Sequence, residues 1–485
     1  MSMTLLSVPD LSESDQDTLN ELFNQLEDRL PRNRLRSEYY DARYALRNLN
    51  IAIPPKFATF DSVLGWPAKA VDSLSRRCNL DGFVIAGQNV QDLGLDEVWD
   101  SNNMDVEAAM AHDSAFIHSC AFICTINGDE AAGEPPVLMM VKDANNATGL
   151  WDPRRRTLKA ALSIIDREVP GGSPLQFIMY LPDRVITVTR DKVGSPWTID
   201  DRPHSLGRVP VEPLVYRPRL GRPFGCSRIS RPVMSHTDSA LRTIVRSEIG
   251  AEFYTTPQRW ALNFPASAFE GDGWRAIMGR VWSIEPPTMD DNIDPAFKPE
   301  VGQFQQMTMQ PHIDQLRQFA MLFAAETSLP VGSLGIVQDN PSSAEALYAS
   351  KEELVIEAER ADRVFGVGWT RAMQNAFQLA NGLAELPPEL LRLRAKWRDP
   401  ATPSQASAAD AVTKQVATFP WLADSEVPLE KMGWDRTDIE RALADKRRST
   451  VNQMVNALRP PAAQPAAPAA VPQMPMRQNG SPVNG

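Results

Sequence analysis

The sequence predicts an α+β fold dominated by helices. Two stretches hold a helical apolar period: residues 307–327 (Ile313, Leu316, Ala320, Phe323) and residues 342–381 (Leu347, Leu354, Ala358, Ala361, Phe365, Ala372, Ala376, Leu379). Between residues 120 and 201 the pattern changes to short apolar runs punctuated by Pro, Gly and Asp, as in strands joined by turns. The two helical stretches are separated by SLPVGSLGIVQDNP, whose Pro and Gly residues forbid continuous helix while Leu329, Val331, Leu334, Ile336 and Val337 keep it apolar. The second helix would reach roughly 60 Å, more than a compact domain ordinarily needs. This pair of helices around an apolar loop organises the chain.

The remaining elements follow in order. Residues 12–30 form an amphipathic helix with Leu19, Leu22, Phe23, Leu26 and Leu30 on one side. The next segment, RNRLRSEYYDARYALRNLNI, is a separate helix in which Tyr40, Tyr44, Leu46 and Leu49 pack and the arginines stay solvated. A helix over residues 60–78 begins its regular part at Pro67. LDGFVIAG turns to strand and residues 105–119 to helix. FICTI, VLMMVKDA, LKAALSIID, LQFIMYLPDRVITVTRD and WTID read as strands, so the chain to about residue 225 is a mixed α/β unit with largely antiparallel pairing. Residues 221–252 turn at Gly and Pro and become helix, with Ser227 as the cap and Pro232 holding the regular helix to its own position or later. RWALNF, RVWSIEP and FKPEVGQF are short strand candidates inserted before the next helix. Beyond residue 382 come a helix at 404–418 and a helix, Gly turn and second helix capped by Thr437. Residues 459–485 are Pro/Ala low complexity, a composition expected to be disordered.

Composition narrows the function classes. With 43% hydrophobic and 23% charged residues the chain is that of a soluble globular protein of several structural units. No apolar run has the length of a membrane span, and the first residues lack the basic and apolar regions of a signal peptide. The net charge of −11 argues against a protein that grips nucleic acid through a basic stripe. Four cysteines make no disulfide framework. Cys120 and Cys124, near His112 and His118, lie in a strongly apolar segment without a second ligand pair, so they are read as buried thiols and no metal site is assigned. There is no phosphate loop, Gly366-Val367-Gly368 lies inside a helix, and Gly332-Ser333-Leu334-Gly335 lacks the spacing of a nucleophile elbow. No cofactor is expected. Asp290, Asp291 and Asp294 form the one acidic group that would suit a divalent ion in a nucleic-acid-processing enzyme.

Five stretches in this order carry a resemblance: SEYYDARYALRNL, LGWPAKAVDSLSRRCNLDGF, GCSRISRPVMSHTDSALRTIV, ETSLPVGSLGIVQDNPSSAEALYASKEEL, and RAKWRDPATPSQASAADAVTKQV with MGWDRTDIER. Together they resemble the portal (connector) proteins of tailed bacteriophages, of the long-tailed type found in actinobacteriophages. The likeness runs over about residues 12–458; Ala42 stands where glycine is frequent in such proteins.

The resemblance implies a portal fold: residues 1–225 as an α/β wing, 226–254 and 306–327 as stem helices, and 255–305 as a β-rich clip. Residues 328–341 would be the tunnel loop, 342–382 a long kinked wing helix, 383–458 a helical crown and 459–485 a tail. It implies a non-enzymatic ring of about twelve copies at one vertex of the virion capsid, assembled in the host cytoplasm, without a membrane. Double-stranded DNA would pass through it without sequence specificity. Its partners would be the terminase, then the head–tail connector, with the major capsid protein and scaffold around it. Carried over to this chain, the DNA-facing residues are Leu329, Pro330, Val331, Gly332, Ser333, Leu334, Gly335, Ile336, Val337, Gln338, Asp339 and Asn340, and the helix bends at Gly366 and Gly368. The alternatives are the metal-dependent enzyme above and a capsid adaptor without a pore.

Overall fold

The structure, a computed structural model, describes residues 6–44, 62–85, 93–169, 171–254, 259–262, 300–303, 308–336, 351–401, 405–434 and 436–458. The chain divides into two compact units, residues 1–402 and 403–485. The first unit opens with α1 (Glu13–Tyr40), α2 (Trp66–Ser75), β1 (Leu80–Val84), α3 (Leu95–Ser101) and α4 (Met104–His118). Then come β2 (Cys120–Asn127), β3 (Val137–Asp143), β4 (Ala147–Asp152), β5 (Thr157–Arg167), β6 (Pro174–Tyr180), β7 (Arg184–Thr189), β8 (Thr198–Pro203) and β9 (Val211–Val215). It closes with α5 (Arg231–Tyr254), β10 (Arg259–Leu262), β11 (Glu300–Gln303), α6 (Gln310–Thr327), α7 (Glu352–Ala380) and β12 (Arg394–Trp397).

Layers follow from side-chain alternation along the strands. A five-stranded antiparallel sheet, in the order β4-β5-β6-β7-β8, buries Leu162, Ile164, Phe177, Met179, Ile186 and Val188 beneath the apolar face of α1. The opposite faces of the same strands, with Ala161, Ile178, Tyr180 and Val185, meet a three-stranded sheet in the order β3-β2-β9. On β2 the alternation sends Cys120, Phe122 and Cys124 between the sheets and Ala121 and Ile123 to the far side, against α4 and α7. A separation of four therefore places both cysteines on one buried face of a strand.

α1 is longer than expected. It continues through Pro31 as one helix, where two were expected, because tertiary contacts hold both halves. Leu30 and Asn33 flank the proline and are buried, and Asn33 Nδ2 donates to Ala144 O at 3.0 Å. At its start Ser12 Oγ accepts from the Asp15 amide at 3.2 Å, and Asp15 pairs with Arg184 of β7 at 2.8 Å. At its end the amide of Ala42 reaches Tyr39 O and that of Arg43 reaches Glu38 O, a paired closure that needs a left-handed residue. Ala42 supplies it with φ of 54°.

α7 is the helix around which the far side of the unit is built. Its 29 residues span about 43 Å. From Gly368 to Asn375 nearly every side is buried, with Trp369, Ala372 and Met373 fully enclosed. Trp369 Nε1 donates to His112 Nε2 at 2.9 Å, and the His112 ring stacks on Phe365 at 5.1 Å. Burial lowers the pKa of His112 to about 4, so the ring is neutral. The helix is continuous through Gly366 and Gly368, which serve close packing. A Cβ on Gly368 would stand 2.8 Å from Leu214 Cδ2 and 3.2 Å from Pro213 O, so only glycine lets α7 lie this close to β9. The part of the expected helix at 341–350 lies outside the described residues.

Three further differences separate the sequence expectations from the fold. β4 and β9 were not anticipated; β9 holds Pro213, tolerated because the strand lies on an edge of its sheet. Ser227 does not cap α5: its hydroxyl donates to Ile117 O at 2.5 Å, and Ser230 takes the cap position, its Oγ accepting from the Val233 amide. The C-terminal unit begins at residue 403 instead of 383, because β12 pairs antiparallel with β1, from Leu80↔Trp397 to Val84↔Arg394.

The second unit consists of α8 (Gln405–Thr418), a short turn at Pro420–Asp424, α9 (Val427–Lys431) and α10 (Arg436–Leu458). Thr437 lies within α10 instead of capping it, and the expected Gly turn is at Gly433, with φ of 82°. Among the described residues its buried apolar side chains are only Ala408, Val412 and Ile439, whereas Phe419, Trp421 and Trp434 are exposed.

Two outcomes follow from this packing. Ala42→Gly is expected to stabilise the protein by about 1 kcal/mol by relieving the left-handed backbone, measured as a rise in the chemical-denaturation midpoint. Glu212 on β9 is buried 3.8 Å from Arg371, and burial pushes its pKa from 4.5 to about 7 despite Arg371, Arg208 and Asn375. Since the folded value lies above the unfolded one, its contribution is complete below pH 4.5 and is lost as pH rises through about 7. The melting temperature of Glu212→Gln should therefore fall less than that of the parent between pH 4.5 and 7.

Candidate functional site: the loop after α6 and its anchor

α5 and α6 form an antiparallel pair. Ser230, just before α5, donates to Glu326 Oε1 at 3.1 Å near the end of α6, and farther along Thr243 donates to Gln315 at 3.4 Å. Between the two helices in sequence lies the two-stranded pair β10–β11, in register from Arg259↔Gln303 to Leu262↔Glu300. Asp290, Asp291 and Asp294, and the strand candidate RVWSIEP, lie outside the described residues. Along α6 the apolar stripe is only partly used. Ala320 and Phe323 are buried, whereas Ile313, expected on the same face, is 51% exposed, with Met321 and Leu322 also exposed.

The loop begins where α6 ends. Ser328 turns left-handed at φ of 53°, and the amide of Leu329 returns to Ala324 O at 3.0 Å. Leu329 was expected to face DNA; it is buried in the main core and roots the loop instead. A single turn of 3₁₀ helix, Val331–Leu334, follows, closed by the Ser333 hydroxyl donating to Pro330 O at 2.6 Å. Gly332, Ser333 and Gly335 are exposed, while Pro330, Val331, Leu334 and Ile336 are half-buried. Nothing lies within 4 Å of where a Cβ on Gly332 or Gly335 would be. The described part of the loop therefore has an apolar root and an uncharged, open tip. Val337, Gln338, Asp339 and Asn340 lie outside the described residues.

Arg228 holds the base of the loop. Its side chain is almost fully buried; Nη2 donates to Thr327 O at 2.6 Å, the last residue of α6, and Nε donates to Ala70 O of α2 at 2.6 Å. Nη1 donates to the Tyr216 hydroxyl at 3.2 Å and lies 2.7 Å from Glu357 Oε2 of α7. Tyr216 and Arg217 both bond Glu357 Oε1. Burial opposes ionisation of Glu357, but the Arg228 charge, the Tyr216 hydroxyl and Arg217 outweigh it and hold the carboxyl below the ordinary glutamate range. One guanidinium thus ties α2, α6 and α7 to the segment after β9. The sequence reading missed this cluster; its visible signal was Glu357 beside Leu354, Ala358 and Ala361, an acid on an apolar stripe that only a buried cation would tolerate.

The described part of the loop is thus rooted between a helical pair and a long core helix. Sequence comparison gives the class: the chain is a phage portal protein, a structural protein and not an enzyme. More narrowly, residues 19–449 match the family described as phage portal protein, SPP1 Gp6-like, and the chain belongs to that family. The portal protein of Mycobacterium phage D29 is 29% identical over 433 residues, covering 87% of this chain and 86% of its own. That of Mycobacterium phage L5 is 30% identical over 390 residues, covering 78% and 77%. A chain in the neck of the native gene transfer agent particle, computed with C12 symmetry, aligns with 76% of this chain and 89% of its own at a TM-score of 0.41 and 11% identity, too loose a likeness to argue from. Family membership gives no support to the metal-dependent enzyme or to the adaptor without a pore.

Glu357→Gln, which leaves Arg228 buried without a full counter-charge, is expected to lower the unfolding free energy by about 3–5 kcal/mol. Replacing both partners by methionine should recover much of that loss. Denaturant titration of the three variants measures it, and a Glu357→Gln curve superimposed on the parent would show that the pair does not hold the loop base.

Proposed function

We propose that the protein assembles into a ring of about twelve copies at one vertex of the virion capsid, with duplex DNA passing through the centre during packaging and ejection. In this reading the loop of residues 328–341 lines the passage, with its tip and not Leu329 toward the DNA. The pair α5 and α6 is the stem, β10–β11 belongs to the clip, the layered sheets form the wing, α7 carries the loop, and residues 403–458 form the crown. The terminase docks during filling and the head–tail connector afterwards, with the major capsid protein and scaffold around the ring.

The observation that carries this reading is the loop itself, with its exposed, uncharged Gly332–Ser333 tip on a base fixed by Arg228. Such a surface touches a moving duplex by shape alone and offers its phosphates no cation to hold. The net charge of −11 acts in the same direction, since a conduit must not retain its cargo. Exposed Ile313, Met321 and Leu322 on α6, and Phe419, Trp421 and Trp434 in a unit with almost no core of its own, are apolar surface that neighbouring copies would cover.

Mass measurement and negative-stain imaging of the purified protein should give a ring with a central hole; a monomer under all conditions would overturn the proposal. Deleting residues 332–337 should leave rings intact and reduce the yield of filled particles. Unchanged DNA content and titre in that variant would remove the loop from the passage.

A further inference from the structure

The chain is acidic, yet four arginines gather near one seam with no described carboxylate in ion-pair range of them. Arg29, Arg32 and Arg36 stand at i, i+3 and i+7 on one face of α1. Arg222 approaches from the segment after β9, close enough that its charge, with that of Arg29, opposes the charge of Arg32. None of the four forms an ion pair with a described carboxylate. Arg36 is the most enclosed: Nη1 donates to His118 O at 3.0 Å, and Nε is buried with no described partner. Burial, and then the charge of Arg32, lowers its pKa to about 10. Like charges held together with a buried donor unsatisfied are unfavourable unless an anion completes them.

The space beside them has the character of a receptor. Arg29 and Arg32 line a small cleft floored by Leu26, Phe122 and Phe224. Its room, about 30 Å³, suits the two oxygens of one carboxylate, and the aromatic floor suits an apolar neighbour. A nucleic-acid backbone fits poorly. Asp17, Glu21 and Asp28 are exposed on α1 in the turns leading up to Arg29, without described ion pairs, and would repel a row of phosphates laid along the helix. A single carboxylate on a peptide avoids them.

We propose that the seam of α1, β2 and β4, where Arg29 and Arg32 line a cleft with Phe224 and the charges of Arg36 and Arg222 add to theirs, is a docking site for an acidic, partly apolar peptide segment of a protein partner. A carboxylate enters between the arginines, which offer paired N–H donors to its oxygens, and an adjacent apolar side chain covers Phe224. The site lies apart from the loop and its anchor and does not depend on either.

The test is fluorescence anisotropy with the full-length protein and three labelled probes: a short Leu/Glu peptide, its Leu/Gln counterpart and a short DNA duplex. The Leu/Glu peptide should bind saturably, the Leu/Gln peptide at least about tenfold more weakly. Arg29→Glu with Arg32→Glu changes two exposed side chains and relieves like-charge repulsion, so the fold should persist, checked by a melting temperature no lower than the parent's, while Leu/Glu affinity falls by about tenfold or more. Equal affinity of the parent and the double variant for that peptide, or no saturable binding by the parent, would overturn the proposal. Tighter binding of the duplex, lost in the same variant, would overturn it in favour of a nucleic-acid face.

Discussion

The base from which the loop departs is fixed by one buried ion pair, Arg228 with Glu357. Ion pairs of this kind add little net stability over an apolar replacement, since both charges must leave water. Their strength is in geometry. The Arg228 fork has donors in fixed directions, and this one spends them on Ala70 O, Thr327 O, the Tyr216 hydroxyl and Glu357. Shifting any one of α2, α6 or α7 would strand a buried charge or carbonyl. The end of α6, and hence the point at which the loop departs, is held from several directions at once.

The layers around that point divide the labour. The two sheets and α1 pack through opposite strand faces around two apolar clusters. α7 serves both sides: its first half carries Glu357 to the anchor, and its second half is enclosed against β9 through Gly368. The helix that carries the anchor's carboxylate is therefore also a core element packed against β9. The pair α5–α6 keeps Ile313, Met321 and Leu322 exposed along α6.

Legibility in the sequence tracked how local the cause was. β5, β6 and β7 stood out as short apolar runs between turn residues, and α2, α4 and α8 carried ordinary helical signals. Pro31 would ordinarily interrupt a helix, and distant contacts from Asn33 and the sheet override it. β9 was hidden because Glu212 and Pro213 are poor strand formers, acceptable only under α7 and at a sheet edge. For the loop, composition identified the segment, but that Leu329 is its root and Gly332 its tip depends on packing no local pattern encodes. The anchor is the extreme case, since Arg228 and Glu357 meet only once the whole unit has closed.

The pairing of β1 with β12 has a bearing on synthesis. A strand laid down near the start of translation finds its hydrogen-bonding partner only when Trp397 has cleared the ribosome. Until then Leu80–Val84 presents an open edge, and the face of α7 over Trp397 is unfinished. The nascent chain therefore cannot close its first unit until β12 has emerged.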